Sequence, residues 1–484
     1  MAALSDYGLT LAKIDLGSID AESDHNLDEH FVKTWYATEI LDQRYEHILG
    51  RKGSGKSALF RQLPQLVPEK YIVHLETPVG VWKTLRQYED QANPNRDAAF
   101  VAAWEFVLAL LSAQAIVSDA PLLSERARRA FVPAHEFLKA NFVDPKPQAM
   151  VKRFVRSIKS LNLSALGIGV GFEIGEEDTE DVARVVVDRV MSAIQPAIAE
   201  CGLVLALDQV DEGWDGSDDS RAMMIGLLRA AKRLGDKYGF QRAGERHLRV
   251  MVFLRSDIYD SLHFDEKDKH RRLELKLHWD ETTLAEMVSA RLPHDVGFDD
   301  LMSSEGYRGG TKPRTYVMAR TFLRPREVLQ LLGEAVRVAP SDATVITGAE
   351  MIEAEKPYSA WKVQDLKQEY SKSDPALAVL LDSLKLGPHR YESVEELVAL
   401  IEDKAGALLD PPGVTGRSLV EKLFDYSVIG IRINDAGRYR FKSEEPELTL
   451  PASGALFIHQ SLHKGLNIIE KKSPRKASTL GEQA

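Results

Sequence analysis

Residues 45–57, YEHILGRKGSGKS, constrain this chain more than any other stretch. Tyr45 to Leu49 read as a short strand, and Gly50-Arg51-Lys52-Gly53-Ser54-Gly55-Lys56-Ser57 fits the Walker A pattern G-x-x-x-x-G-K-[ST]. An apolar-periodic helix follows in Ala58, Leu59 and Leu63, and Pro64 is expected to stop it. Strand, glycine-rich turn and helix in that order belong to an α/β fold. Gly50, Gly53, Ser54 and Gly55 let backbone N–H groups turn inward around phosphate oxygens, at the positive end of a helix. Lys56 is then placed to reach the β- and γ-phosphates of ATP, and Ser57 to ligate Mg2+.

A second segment completes such a site. Leu203-Val204-Leu205-Ala206-Leu207 is a continuous apolar run of the kind buried on both faces of a parallel sheet. It leads into Asp208-Gln209-Val210-Asp211-Glu212. A carboxylate at the end of that strand suits the Mg2+ shell, which assigns Asp208 to it. Asp211 or Glu212 could orient or deprotonate an attacking water. The plain alternative for these two acids is a solvated turn before Gly213.

Composition frames the rest. At 484 residues with 44% hydrophobic content, the chain suggests two to four domains with real cores. A single cysteine excludes a disulfide framework and points to a reducing cytoplasm. Cys201, at the mouth of a buried strand, reads as packing. A net charge of −11 argues against binding nucleic acid with the whole surface, although a local basic face stays open. No cationic segment with an apolar core opens the chain, so no secretory leader is expected. The segment 98–117 is apolar enough to cross a membrane, but Glu105, Ser112 and Gln114 interrupt it, and a buried helix is expected instead.

Along the chain, 1–30 reads as an irregular acidic lead-in and 31–44 as helix, where Trp35 or Tyr36 could stack on a base or pack into the core. Tyr71 to Leu75 reads as a second strand. The span 84–160 reads as a helical insertion broken by Pro121, Pro133, Pro145 and Pro147. Alternation of glycine with apolar residues over 167–174 predicts a strand. Val182 to Ile198 and Ser217 to Leu234 carry helical periodicity, while Leu248 to Leu254 and Arg272 to Leu277 read as strands. Arg255 ends the third of these strands, where a polar side chain could report a γ-phosphate or make a structural salt bridge.

Walker A, the insertion, LDQVDEGW (207–214), FLRSDI (253–258), LHWD (277–280) and LRPREVL (323–329) succeed one another in an order that resembles a family of bacterial P-loop ATPases related to the KAP and NACHT (STAND-type) NTPases. The resemblance covers residues 30–370. It implies an ASCE/AAA+-like core over 31–320 and a helical lid over 321–390. It also implies that Asp211, ahead of Glu212, serves hydrolysis. Relatives of this kind often act in anti-phage defence, which implies a homo-oligomer working with a protein effector. Arg324 and Arg326 flank Pro325 at a helix start, where arginine needs an anionic partner. The resemblance makes Arg326 a nucleotide sensor of the lid, and a surface salt bridge is the alternative.

Residues 391–470 read as a winged-helix-like domain. Its helices are Val394 to Lys404 and Ser418 to Tyr426, and its strands Val428–Ile433 and Tyr439–Lys442 flank a turn at 434–437. Arg417 and Lys422 are matched by Glu421 and Asp425, so a packing or partner role is favoured over DNA. The tail 471–484 reads as disordered. The scattered histidines make no metal-spaced set. Two functional classes follow: an ATP-driven switch or assembly ATPase, or a DNA-associated ATPase that uses the winged helix.

Overall fold

A computed structural model describes residues 3–40, 45–89, 96–119, 123–167, 179–239, 247–307, 310–432 and 439–469. The chain divides into two compact units, one of residues 17–278 and the other of residues 1–16 with 279–484. The sequence reading draws its boundary instead at 320/321.

The first unit is built on a five-stranded parallel sheet in the order β2-β3-β4-β1-β5. Two short helices, α1 (Leu27–His30) and α2 (Trp35–Glu39), precede β1 (His47–Gly50) and α3 (Lys56–Leu66). Next come β2 (Ile72–Glu76) and four helices: α4 (Val81–Glu89), α5 (Arg96–Ser118), α6 (Glu125–Asn141) and α7 (Pro147–Ser157). After α8 (Thr179–Cys201), β3 (Leu203–Leu207) crosses to α9 (Asp218–Tyr238) and β4 (Leu248–Arg255). Two short helices, α10 (Ser256–Ser261) and α11 (Lys267–His270), lead to β5 (Glu274–Lys276).

All five residues of β3 are buried, as befits a strand covered on both faces. One face carries Leu203, Leu205, Leu207, Val250, Val252 and Leu254 into a core shared with the insertion helices. The other is met by α3, where Phe60 lies edge-on to Phe253 at 5.4 Å. Burying a side chain of this size contributes about 1.5–3 kcal/mol relative to leaving it in water. Helix α5 is long and apolar enough to span a membrane, yet 78% of that stretch is buried within this core. Trp104 and Phe106 are each at most 2% exposed.

Several local expectations are corrected. Pro64 does not stop α3, which runs on to Leu66. Only one backbone bond is lost so near the helix end, and Val67 turns extended ahead of Pro68. Pro133 likewise lies inside α6. The described part of 31–44 is not one helix, because Thr34 is extended and only a five-residue helix follows it. Most of the 167–174 strand, Pro121, the 434–437 turn and the tail lie outside the described residues.

The second unit begins with α12 (Glu281–Ser289), whose start is fixed by Asp280 accepting from the backbone N–H of Thr282 and Thr283 at 2.9 and 2.8 Å. Next come α13 (Pro313–Met318), α14 (Pro325–Val338) and α15 (Gly348–Glu369). Helix α14 starts with Pro325 and buries Val328, Leu329, Leu331 and Leu332. Thr347 and Glu350 form a reciprocal capping box at the start of α15. Beyond them lie α16 (Ala376–Ser383), β6 (Arg390–Tyr391), α17 (Val394–Lys404), α18 (Gly416–Asp425), β7 (Ile429–Arg432), β8 (Tyr439–Arg440) and β9 (Leu456–Ile458). The strands form a sheet ordered β6-β9-β7-β8, with β7 and β8 antiparallel. Its inner face joins α16, α17 and α18 in one apolar cluster that includes Leu380, Leu397, Leu423 and Ile458.

Candidate functional site

The loop between β1 and α3 has the backbone its glycines require. Gly53 and Gly55 have φ of 75° and 89°, which any side chain would strain. A Cβ at Gly50 would run into the Ser54 hydroxyl, so the strand can pass that close only as glycine. The loop then opens α3 with Lys56 as its first residue. Lys56 Nζ curls back over the turn and donates to the carbonyl oxygens of Gly50 at 2.8 Å and Arg51 at 3.1 Å. Burial lowers the pKa of this ammonium, while Asp211 and Asp208 oppose the shift.

Parallel pairing brings the other half of the site to the same end of the sheet. Gly50 is in register with Arg255 across β1 and β4, and β4 in turn pairs with β3. Asp208 follows β3 and is 4% exposed. Its N–H donates to the Glu76 carbonyl at 3.1 Å, and its carboxylate neighbours the Ser57 side chain. Burial raises the pKa of Asp208, and the neighbouring Ser57 hydroxyl works against that rise. Directly after it, Gln209 has a left-handed φ of 56°, which turns the chain sharply out of the strand.

The two acids beyond this turn differ. Asp211 is half-buried, with Oδ2 3.9 Å from Arg255 Nε, whereas Glu212 is exposed. Arg255 is itself gripped by Asp257, through Nη2 at 2.6 Å and Nε at 3.2 Å. The structure thus gathers Gly50, Gly53, Ser54, Gly55, Lys56, Ser57, Asp208, Asp211 and Arg255 at one sheet end, and sets Glu212 outward. Asp257 belongs to the same group through its charge on Lys56. The sequence offered a signal for it in Arg255-Ser256-Asp257 at a strand end, but assigned it no role.

Three more residues were invisible to sequence reasoning because they come from the insertion or from a later turn. Trp82 Nε1 of α4 donates to the Val210 carbonyl at 2.6 Å. Arg86 Nη2 donates to the Gly213 carbonyl at 2.9 Å and to Asp215 at 2.8 Å. Burial would raise the pKa of Asp215, yet hydrogen bonds from Ser217 and Ser220 and the charge of Arg86 hold it far below the usual carboxylate range.

Of the two aromatic residues weighed for base stacking, Tyr36 is buried at 3% exposure and Trp35 is 52% exposed. In the second unit, Arg324 is sealed between Glu327 at 3.5 Å and Glu369 at 3.4 Å. Arg326 retains 20% of its side-chain exposure, with Nη1 3.8 Å from Asp365 and its guanidinium 5.7 Å from the Trp361 ring. The anionic partners expected at this helix start are therefore present in α14 and α15 themselves.

The residues fit Mg2+ and ATP. Ser57 and Asp208 offer hard oxygen ligands side by side, and Lys56 and the inward glycine turn offer donors to phosphate. Among the described residues, no group of three or more His, Cys, Asp or Glu side chains is placed to hold a metal by itself.

Comparisons with known proteins add two findings. Residues 281–367, from α12 into α15, match the FunZ-associated C-terminal helical domain family. Over 99% of its length the chain is 22% identical to an 80.3 kDa protein of Escherichia coli (strain K12) named for the transposon gamma-delta, of which the match covers 70%. A helical domain over 281–367 agrees with the secondary structure of that stretch.

Proposed function

We propose that this chain is a Mg2+-dependent ATPase of the P-loop class, ASCE/AAA+-like and related to the KAP and NACHT (STAND-type) NTPases, which works as a nucleotide-controlled switch. The observation that carries the reading is Lys56 curled over its glycine turn onto the Gly50 and Arg51 carbonyls, at the sheet end where Asp208 and Asp211 act on its charge. It joins the two motifs that such an enzyme needs in one place. Bound Mg2+ would neutralise charge on the β- and γ-phosphates, held by Ser57 and Asp208. Lys56 exchanges its two loop carbonyls for phosphate oxygens. Asp211 orients and deprotonates the attacking water, and Arg255, fixed by Asp257, senses the γ-phosphate. Arg326 is the candidate sensor of a helical lid over 321–390. Homo-oligomerisation and an effector partner in a defence pathway follow from the family resemblance, as does a cytoplasmic location from the single cysteine.

A second reading, a DNA-associated ATPase, gains support from the relative's name and from the helix–helix–hairpin order of α17, α18, β7 and β8, which suits a winged helix. Against it, Lys422 is paired with Asp374 at 2.8 Å, Lys442 with Asp425 at 2.5 Å and Arg417 with Glu421 at 3.3 Å. Local acids take up that positive charge.

The test is ATP binding and turnover by the purified protein and by Lys56→Ala, each with and without Mg2+ and DNA. Loss of ATP affinity in a folded Lys56→Ala protein supports the site, and undiminished affinity sinks it. Stimulation by DNA with a steep salt dependence would shift the reading to the second class.

A further inference from the structure

The turn that carries Asp211 is held by the helical insertion rather than by the sheet alone. Helix α4 follows a turn at Gly80, where φ is 76° and Gln148 of α7 packs against the glycine. Val81, Trp82 and Leu85 are buried in the core shared with α5 and α7. From that anchored helix the Trp82 indole donates to the Val210 carbonyl at 2.6 Å, one residue before Asp211. The Trp82 ring also lies where a side chain at Gly213 would stand. One turn further along α4, Arg86 donates to the Gly213 carbonyl at 2.9 Å and to Asp215 at 2.8 Å. Asp215 is in turn tied by Ser217 at 2.7 Å and Ser220 at 2.5 Å to the start of α9. Asp211 therefore lies between two carbonyl groups pinned by α4, and both pins are long side chains on one helix face.

We propose that Trp82 and Arg86 are positioning residues for hydrolysis, through which the insertion sets the placement of Asp211 and gates turnover without contributing to nucleotide affinity. This rests on the ATPase reading above. Neither side chain touches Lys56, Ser57 or Asp208 in any described contact, so the nucleotide cradle stands without them. Small displacements of a water-activating acid weigh heavily on rate, because the reacting atoms must be held in near-attack geometry. An element that shifts α4 would thereby change hydrolysis while ATP stays bound.

The experiment compares wild type, Trp82→Phe, Arg86→Met and Arg86→Lys in the full chain. Trp82→Phe keeps the ring and removes only the N–H donor, which limits disturbance of the core. Expected is a fall in kcat of roughly tenfold or more for Trp82→Phe and Arg86→Met, with the KM for ATP and the Kd for ADP changed less than about twofold. Arg86→Lys should recover part of the rate through its one remaining donor. Hydrogen exchange at residues 210–215 should quicken in Arg86→Met while exchange at 50–57 stays as in wild type. Wild-type kcat in both loss variants overturns the positioning role, as does a parallel loss of ADP affinity. Failure of wild-type protein to turn over Mg2+–ATP overturns the hydrolysis reading instead, and is seen in the control before any variant is measured.

Discussion

Asp211 and Arg255 approach to 3.9 Å at the carboxyl end of the parallel sheet, and Glu212, the next residue, faces away into solvent. Two acids adjacent in sequence are thereby given different environments. Asp211 shares the surroundings of Lys56, Arg255 and Asp257, and Glu212 shares those of water.

Asp211→Asn should therefore keep ATP bound and suppress its hydrolysis, by roughly a hundredfold or more if the carboxylate acts as general base. Glu212→Gln should hydrolyse at close to the wild-type rate. Single-turnover assays on the two variants decide the matter, and the opposite ranking would transfer the role to Glu212.

The arginines around Pro325 separate in the same way. Arg324 is enclosed at 4% exposure among Glu327 and Glu369, so Arg324→Ala should chiefly destabilise the second unit. Arg326 keeps part of its surface and a 3.8 Å partner in Asp365. If it senses nucleotide, Arg326→Ala should shrink the difference in protease sensitivity between ATP-analogue and ADP states more than it weakens ADP binding. A variant with the full wild-type difference would leave Arg326 as a partner of Asp365 and Trp361 only.

The ion pair of Lys362 and Glu327 is 2.6 Å long, with side chains 0% and 2% exposed. Glu327 also accepts from the Phe322 N–H, and Lys362 Nζ lies 4.0 Å from the Phe322 ring. Removing one partner leaves a buried charge, so Glu327→Ala should destabilise by about 3–5 kcal/mol in denaturant unfolding. The paired change Glu327→Leu with Lys362→Met should recover the part due to the stranded Lys362 ammonium, but not the part due to Arg324 and the Phe322 N–H, which still lose Glu327. If the double variant is no better than the single one, the packing around the pair matters more than its charge.

His47 Nε2 and His270 Nδ1 lie 2.8 Å apart with stacked rings, next to Tyr259 and Phe264. Burial is the main cause that lowers their pKa values to about 3 and about 4, helped for His47 by its partner and for His270 by Lys232 and Arg229. Both are thus neutral in the folded state, whereas the unfolded chain takes up protons below the ordinary value of about 6.5. Stability should be unaffected by this pair above pH 6.5 and should fall as pH drops from there towards 4. The double variant His47→Gln with His270→Gln should lose Tm less steeply across that window, whatever its Tm at neutral pH. An equally steep loss would place the acid sensitivity elsewhere.

What the sequence by itself determined was local. The Walker A loop could be read because glycine at positive φ and a helix-opening lysine leave a short-range signature in residue type and spacing. Strand β3 could be read because a strand buried on both faces must be apolar throughout, and α17 because its apolar period is written in consecutive residues. Pro64 and Pro133 misled because a helix interior already held by packing can absorb one missing backbone bond. Tertiary structure decided the rest. The order β2-β3-β4-β1-β5 sets Arg255 beside Gly50 and brings Ser57 to Asp208, contacts between residues far apart in sequence that no periodicity encodes. It also half-buried Asp211 beside Arg255 while leaving Glu212 exposed, and gave the post-strand turn to Trp82 and Arg86. Those outcomes depend on which way a turn faces and on what the insertion packs against, and both are properties of the assembled core.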